Sequence, residues 1–263
     1  MKVPFVDLKS QYQSINKDIN RVIQAVIDET GFIQGRFVKE FESAFSEKYR
    51  VKHCISVGNG TDALYITLKM LGIGPGDEVI TVANSWISTA EVINQVGAKP
   101  VFVDIEPEYY TIAPNLIEEK ITTRTKVILP VHIFGQSADM KIIKSICDRH
   151  GLYLVEDCAQ SHFCEYNGQK VGTFGIAGTF SFYPGKNLGA YGDAGCIITS
   201  DGELADKMRM FANHGALIKH NHQFPGINSR TDGLQAAILN VKLPHINNWN
   251  KNAFLMQWPI TNC

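Results

Sequence analysis

The decapeptide Ser181-Phe182-Tyr183-Pro184-Gly185-Lys186-Asn187-Leu188-Gly189-Ala190 sets one lysine among small, turn-forming residues, directly after a Thr/Phe-rich run that reads as a strand. Lys186 therefore falls in a loop, not on a solvated helix face. A partly desolvated lysine has a lowered pKa, which makes its amine a nucleophile toward carbonyls, as a Schiff-base lysine requires. An incidental lysine on a surface turn is the competing reading. A carboxylate, Asp157, follows the apolar run Leu152-Tyr153-Leu154-Val155, where an unpaired charge at the end of a buried strand is costly and implies a partner. Gln160 and His162 follow it. Upstream, Gly58-Asn59-Gly60-Thr61-Asp62 separates a short apolar run from a helix. Such a loop converges backbone N–H groups on an anion, with the Thr61 hydroxyl in support. Thr61 or Asp62 acting only as a helix cap explains the same residues.

These residues need a frame, and the chain supplies an alternating one. Strands are expected at 54–57, 78–82, 100–103, 126–131, 152–156 and 192–199. Between them helices are expected at 63–71, 85–96, 114–121 and 140–150, with further helices at 203–211 and 232–243. Strands separated by helices predict a parallel sheet covered on both faces, with ligands gathering outside the carboxyl ends of the strands. Trp86 lies at one such end and is either a ring that stacks on a flat ligand or an ordinary helix-face aromatic. Before this core, residues 3–8 read as extended, Tyr12, Ile15, Ile19, Val22 and Val26 as one apolar helix face, and Phe37, Phe41 and Phe45 as the buried side of a second helix after the Gly35 break. Asn228 and Arg230, in Pro225-Gly226-Ile227-Asn228-Ser229-Arg230, are compatible by composition with a turn residue and a solvated surface residue respectively, and nothing intrinsic to the segment decides between that and a functional role.

Composition excludes several classes. With 263 residues, 44% hydrophobic and 19% charged, the chain can bury a large core. The near-equal counts of 25 basic and 26 acidic residues leave no field to draw nucleic acid or an anionic membrane, so a phosphate must be held by local geometry. No secretory signature and no apolar run near the roughly 20 residues of a membrane span are present, so a cytoplasmic address is expected. Cys54, Cys147, Cys158, Cys164, Cys196 and Cys263 form no C-x-x-C pair and read as small hydrophobes, and the lone His220/His222 pair lacks further ligands, so no metal is expected.

An anion-binding glycine loop, an aromatic, a strand-end acid and a loop lysine together suit pyridoxal phosphate. The segments Gly58 to Leu64, Val155 to His162, Gly178 to Ala190 and Gly226 to Arg230, in that order, resemble the DegT/DnrJ/EryC1/StrS family of nucleotide-sugar aminotransferases, from Val3 to about Trp249. The resemblance implies an aspartate-aminotransferase-like α/β fold, a three-layer α/β/α sandwich with a mostly parallel central sheet. It implies an N-terminal arm and cofactor-binding large domain over 1–245. It also implies that Lys186 binds the cofactor aldehyde, that Asp157 pairs with the pyridinium nitrogen and that Trp86 stacks on the ring. Gln160 would lie near the phenolic oxygen, and Gly60, Thr61 and Ser181 would hold the phosphate. Asn228 would reach the phosphate of a neighbouring subunit, so a homodimer with shared sites is expected, taking L-glutamate as donor and a nucleotide-diphosphate keto sugar as acceptor.

Two departures stand out. Phe163 replaces a glycine common in the family, which bears on substrate shape. Residues 246–263 read as a stub in place of the family's small C-terminal domain, so the expectation is a truncated, poorly soluble and weakly active product of a frameshift or early stop. Rival readings are a catalytically impaired cofactor-binding or interaction protein, and a cofactor-dependent sugar dehydratase relative. The dehydratases carry histidine in place of the lysine, and Lys186 opposes that reading. A nucleotide-binding Rossmann domain is disfavoured because no G-x-G-x-x-G follows the first strand.

Overall fold

The computed structural model describes residues 6–261. Asp7 caps the first helix, α1 (Leu8–Asp28), by accepting from the Ser10 amide at 2.9 Å. The extended opening read at 3–8 therefore ends before Leu8, and its residues 3–5 lie outside the described residues. Gly35, at φ 80°, turns the chain into α2 (Arg36–Tyr49), and Phe37, Phe41 and Phe45 are buried along one side of it. The alternating core then runs β1 (His53–Val57), α3 (Gly60–Met70), β2 (Glu78–Val82), α4 (Ser88–Gln95), β3 (Lys99–Val103), β4 (Thr125–Ile128), α5 (Met140–His150) and β5 (Tyr153–Asp157). A two-stranded ribbon, β6 (Glu165–Tyr166) and β7 (Gln169–Lys170), leads to β8 (Ala177–Ser181), β9 (Gly195–Thr199), α6 (Gly202–Ala212), α7 (Gly233–Lys242) and α8 (Ile246–Thr261).

Seven strands form one sheet in the order β1-β9-β8-β5-β4-β2-β3. Only β9 runs against its neighbours, so the sheet is mostly parallel, as expected. Side-chain alternation builds the two outer layers. Cys54, Phe180, Cys196 and Ile198 pack against α2 and α7, whereas Ile55, Val57, Ala177 and Ile197 pack against α3 and α6. On the other half of the sheet, β2, β4 and β5 share a core with α4 and α5. Ile15 and Ile19 of α1 dock on Ile238 of α7.

Local structure departs from the periodicity in two places. The helix expected over 114–121 is two 3₁₀ turns, Pro114–Leu116 and Glu118–Lys120, the tighter geometry in which short helical connections occur. The helix expected from 85 starts at Ser88 instead, which leaves Trp86 in the preceding loop, 73% exposed, and not on a helix face. Cys54, Cys147, Cys158 and Cys196 are buried free thiols, while Cys263 lies outside the described residues. No helix among the described residues is long and apolar enough to cross a membrane.

Candidate active site

The parallel strands deliver their carboxyl ends to one edge, and the sequence-derived residues meet there. At the end of β1 the helix N-cap is Asn59, neither Thr61 nor Asp62: its Oδ1 accepts from the Asp62 amide at 2.8 Å. Asn59 wins because an extended residue just before the helix aims a side-chain oxygen back at the N3 amide. Asp62 instead accepts from Ser229 Oγ at 2.6 Å, and Ser229 Oγ in turn accepts from the Gly58 amide at 2.9 Å, which pins the glycine loop to the segment carrying Asn228. The amides of Gly60 and Thr61 have no partner among the described residues and remain at the positive end of α3. Thr61 Oγ1 lies 2.7 Å from Ser88 Oγ at the start of α4. Gly60 is required here by close approach, since a Cβ on it would sit 2.6 Å from Ser181 Cβ. Gly60, Thr61, Ser88 and Ser181 thus form one small polar cradle.

Asp157 ends β5 and is 6% exposed. Its Oδ1 accepts from the Ala159 amide and its Oδ2 from Thr89 Oγ1, both at 3.1 Å, and Thr89 Oγ1 is 2.7 Å from Ser85 Oγ. Burial raises the pKa of this carboxyl despite those donors and despite the nearby charge of Lys186. Lys186 sits in the loop after β8, its amide bonded to the Tyr183 carbonyl at 2.8 Å. The side chain is half-buried, and that burial lowers its pKa, with the Asp157 charge opposing. Both shifts have the same origin, the removal of water, and both leave a group wanting a partner. A lysine with extra free amine beside a buried acid is suited to attack a carbonyl and to move a proton.

Gln160 Oε1 accepts from the Phe134 amide at 2.9 Å, so its NH₂ group is the donor still available. His162 is buried against Phe180 and Phe182, at ring-centroid distances of 5.7 and 5.6 Å. Neither of its ring nitrogens has a hydrogen-bond partner. Burial first, and the Lys186 charge second, push the imidazole down to about 3, so it is neutral. Asn228 is exposed and pairs through its backbone with Asn213, and Arg230 donates to Asn213 Oδ1 at 3.2 Å. Phe163 has φ 62°, the left-handed conformation that explains a glycine at such a position. Its amide donates to Tyr49 Oη at 2.8 Å and its ring packs on Tyr49 and Phe45, so the ring fills the aromatic cluster of α2.

Thr89 and Ser88 were not singled out by the sequence reading, although the hydroxyl-rich run Ser85 to Thr89 was a usable signal. Glu156 and His132 were also missed. Glu156 is fully buried and accepts from the amides of Gly172 (2.6 Å), Phe174 (2.8 Å) and Gly175 (2.9 Å), and from His132 Nε2 at 3.1 Å. The Ala138 amide donates to His132 Nδ1, which assigns the ring proton to Nε2. His132, Glu156 and Cys158 bring possible metal ligand atoms within 4.8 Å of one another, but the Glu156 oxygens are already committed to these four donors. His222 bonds the His214 carbonyl at 2.8 Å in an exposed loop.

The chain is similar in sequence and fold to known proteins. A "pleiotropic regulatory protein" of Geobacillus stearothermophilus is 49% identical over 95% of this chain and 68% of its own length. The dTDP-3-amino-3,4,6-trideoxy-alpha-D-glucose transaminase of Streptomyces venezuelae is 42% identical over 95% of this chain and 66% of its own. The chain thus spans about two thirds of the length of these relatives. The crystal structure of S. venezuelae DesV in complex with a ketimine intermediate superposes with a TM-score of 0.93 at 42% identity, covering 95% of this chain and 67% of that one. NtdA of Bacillus subtilis, with bound cofactor PMP, gives 0.87 at 37% identity, covering 93% and 56%. The model of the DegT/DnrJ/EryC1/StrS aminotransferase family matches residues 13–254, and the chain belongs to that family.

Proposed function

We propose that this chain carries the cofactor site of a pyridoxal-phosphate-dependent aminotransferase that moves an amino group from L-glutamate to a nucleotide-linked keto sugar. The carrying observation is the convergence of a half-buried, pKa-lowered Lys186 and a buried, pKa-raised Asp157 at one sheet edge, beside the open N-terminus of α3. The residues present fit the cofactor. The Gly60 and Thr61 amides, with the hydroxyls of Thr61, Ser88 and Ser181, form a neutral donor set suited to a phosphate dianion. Asp157 is a buried carboxylate with two donors and no cation in contact, and a pyridinium N–H would complete it. Trp86 supplies an exposed ring at the same edge, and Gln160 keeps a donor for a phenolic oxygen.

When bound, the cofactor would supply an electron sink for carbanion chemistry at an amino-bearing carbon. Each residue then has a definable task. Asp157 holds the proton on the ring nitrogen, and Thr89 and Ala159 keep its carboxylate aimed. Lys186 Nζ would anchor the cofactor at rest and, once released, would act as the base and acid that moves protons at the α carbon of the amino donor and the carbonyl carbon of the acceptor. The fixed amides of α3 hold the phosphate without moving.

The sugar part of the reading draws on the relatives. The S. venezuelae relative is named a dTDP-sugar transaminase, and others are named UDP-N-acetyl-3-dehydro-alpha-D-glucosamine 3-aminotransferase (43% identical) and UDP-2-acetamido-2-deoxy-3-oxo-D-glucuronate aminotransferase (45% identical). The proposed working form is a cytoplasmic homodimer in which Asn228 reaches the partner's phosphate, a role its exposure and its link through Ser229 to the glycine loop support. Residues 1–245 would make up the cofactor-binding domain, with 246–263 belonging to the segment beyond it.

The test has two readouts. Pyridoxal phosphate is added, one portion is reduced with borohydride and its labelled peptide mapped, and a separate unreduced portion is offered glutamate with a panel of keto sugar nucleotides. Attachment at Lys186, lost in Lys186→Ala, and amination of at least one sugar are expected. Attachment elsewhere, or cofactor transamination in Lys186→Ala at the wild-type rate, would overturn the assignment.

A further inference from the structure

Lys242, the last residue of α7, is 1% exposed and pairs with no carboxylate among the described residues. A lysine buried without a counter-ion is expensive, so what it touches explains its presence. Its Nζ donates to the Gly189 carbonyl at 2.7 Å and lies 4.3 Å from the centre of the Tyr191 ring. That carbonyl belongs to the neck of the Lys186 loop. Gly189 packs so closely on Pro184 that a Cβ on it would run into the Pro184 carbonyl oxygen, and the Ala190 amide donates to Phe182 at 2.8 Å. Lys186 is thus at the tip of a short loop closed at residues 184 and 189. Two residues on, the Tyr191 amide donates to Gln235 Oε1 at 2.8 Å. Gln235 and Lys242 are seven residues apart, two turns of α7, and so share one face of that helix. Asn187, next to Lys186, donates to Asn250 Oδ1 of α8 at 2.9 Å. Alternate loop residues 187, 189 and 191 are therefore each gripped by a side chain from α7 or α8.

The geometry points to Lys242 and Gln235 as positioning residues that hold the neck of the Lys186 loop and so aim the Lys186 amine at the strand-end acid. The inference rests on the reading of Lys186 as the reactive amine. A charged donor on the Gly189 carbonyl fixes that peptide more firmly than a neutral one. The aromatic face of Tyr191 compensates the lysine charge without neutralising it, as a carboxylate would. Lys186 itself makes no side-chain hydrogen bond among the described residues, so the loop alone sets where its amine lies.

The test uses the whole chain without cofactor and the variant Lys242→Met, which keeps the volume and removes the donor. Two quantities are read: amide hydrogen exchange across residues 177–199, and the pH profile of Lys186 acetylation by trace acetic anhydride, followed by mass spectrometry. The titratable groups facing Lys186, Asp157 and His162, are untouched by the substitution. Protection of the Lys186 and Ala190 amides should fall about tenfold, as for loss of a hydrogen bond with a charged donor, while that of Phe180 on β8 stays unchanged. The acetylation midpoint should rise by about 0.5, roughly threefold in free amine, as water reaches Lys186. Unchanged Lys186 acetylation in folded protein overturns the inference, and so does an equal loss of protection over the whole sheet, which marks a purely structural lysine. If Lys242→Met yields no folded protein, the same two measurements on Gln235→Leu, which frees the Tyr191 amide, decide the matter. Failure of borohydride capture at Lys186, with the acetylation result intact, would reject the enzymatic reading and leave the positioning role standing.

Discussion

Replacing Thr89 by Val removes one hydroxyl and leaves the shape of the side chain almost unchanged, which isolates the hydrogen bond to Asp157. Thr89 is 1% exposed, and its Oγ1 is the only donor to Asp157 Oδ2 among the described residues. Hydrogen bonds to charged groups contribute about 1.5–3 kcal/mol, and because the Thr89 hydroxyl favours the ionised carboxylate, the Asp157 pKa should rise further in the variant. The sign of the stability change follows from linkage. Asp157 already has a folded-state pKa above its ordinary 3.8 because of burial, so the folded protein holds its proton more tightly than the unfolded chain does. Stability is therefore lost as pH climbs from about 3.8 through the raised folded value, and the full cost is present above it. Thr89→Val enlarges that cost. Urea unfolding of the cofactor-free protein should show a loss of about 1.5–3 kcal/mol near pH 7.5. Below the ordinary carboxylate value of 3.8, as Asp157 takes up its proton in both proteins, the loss should shrink toward that of a neutral hydrogen bond, about 1 kcal/mol. A difference of equal size at both pH values would refute the claim that the Thr89 hydroxyl acts on the carboxylate charge.

Asp157→Asn removes the buried charge altogether and should raise stability near neutral pH, while slowing the single-turnover reaction with glutamate by about 10²-fold or more, since an amide cannot hold the ring proton as a carboxylate does. Melting curves and stopped-flow absorbance check the two halves, and an unchanged rate would discard the assigned role. Gly60→Ala forces a methyl group to 2.6 Å from Ser181 Cβ and should push the α3 terminus off the cradle at a cost of about 1–3 kcal/mol. Titration with pyridoxal phosphate would then show affinity weakened about 5- to 100-fold, and wild-type affinity would count against the cradle. Glu156→Ala strands three backbone amides and the His132 ring in the interior, so a loss of about 3–5 kcal/mol in urea unfolding is expected. A loss below about 1 kcal/mol would mean that water replaces the carboxylate.

Much of the chemistry was legible in the linear sequence because it depends on residue type and local punctuation. A lysine between Pro184-Gly185 and Gly189 must lie in a loop, and an apolar run ending in Asp157 must present an acid at a strand end. Gly58 and Gly60 before a helical stretch must leave amides at a helix start. The alternation of strands and helices fixed the parallel layout for the same reason, since hydrophobic period reports which faces are covered. Shorter-range signals failed where tertiary contacts outvoted propensity. Residues 114–121 became 3₁₀ turns, the α4 start moved past Trp86, and the α3 cap went to Asn59, whose neighbour Asp62 was claimed by Ser229 from 167 residues away. Long-range pairings of this kind leave no local trace. Only the folded chain brings Thr89 to Asp157 across 68 residues, fills the glycine-like position of Phe163 with a ring packed on Tyr49, and carries Lys242 from α7 to the neck of the Lys186 loop. The identity of the candidate reactive residues is thus a property of the sequence. Their pKa values and aim come from the tertiary structure, because both depend on excluding water and on donors from distant elements, and neither exists until the sheet has assembled.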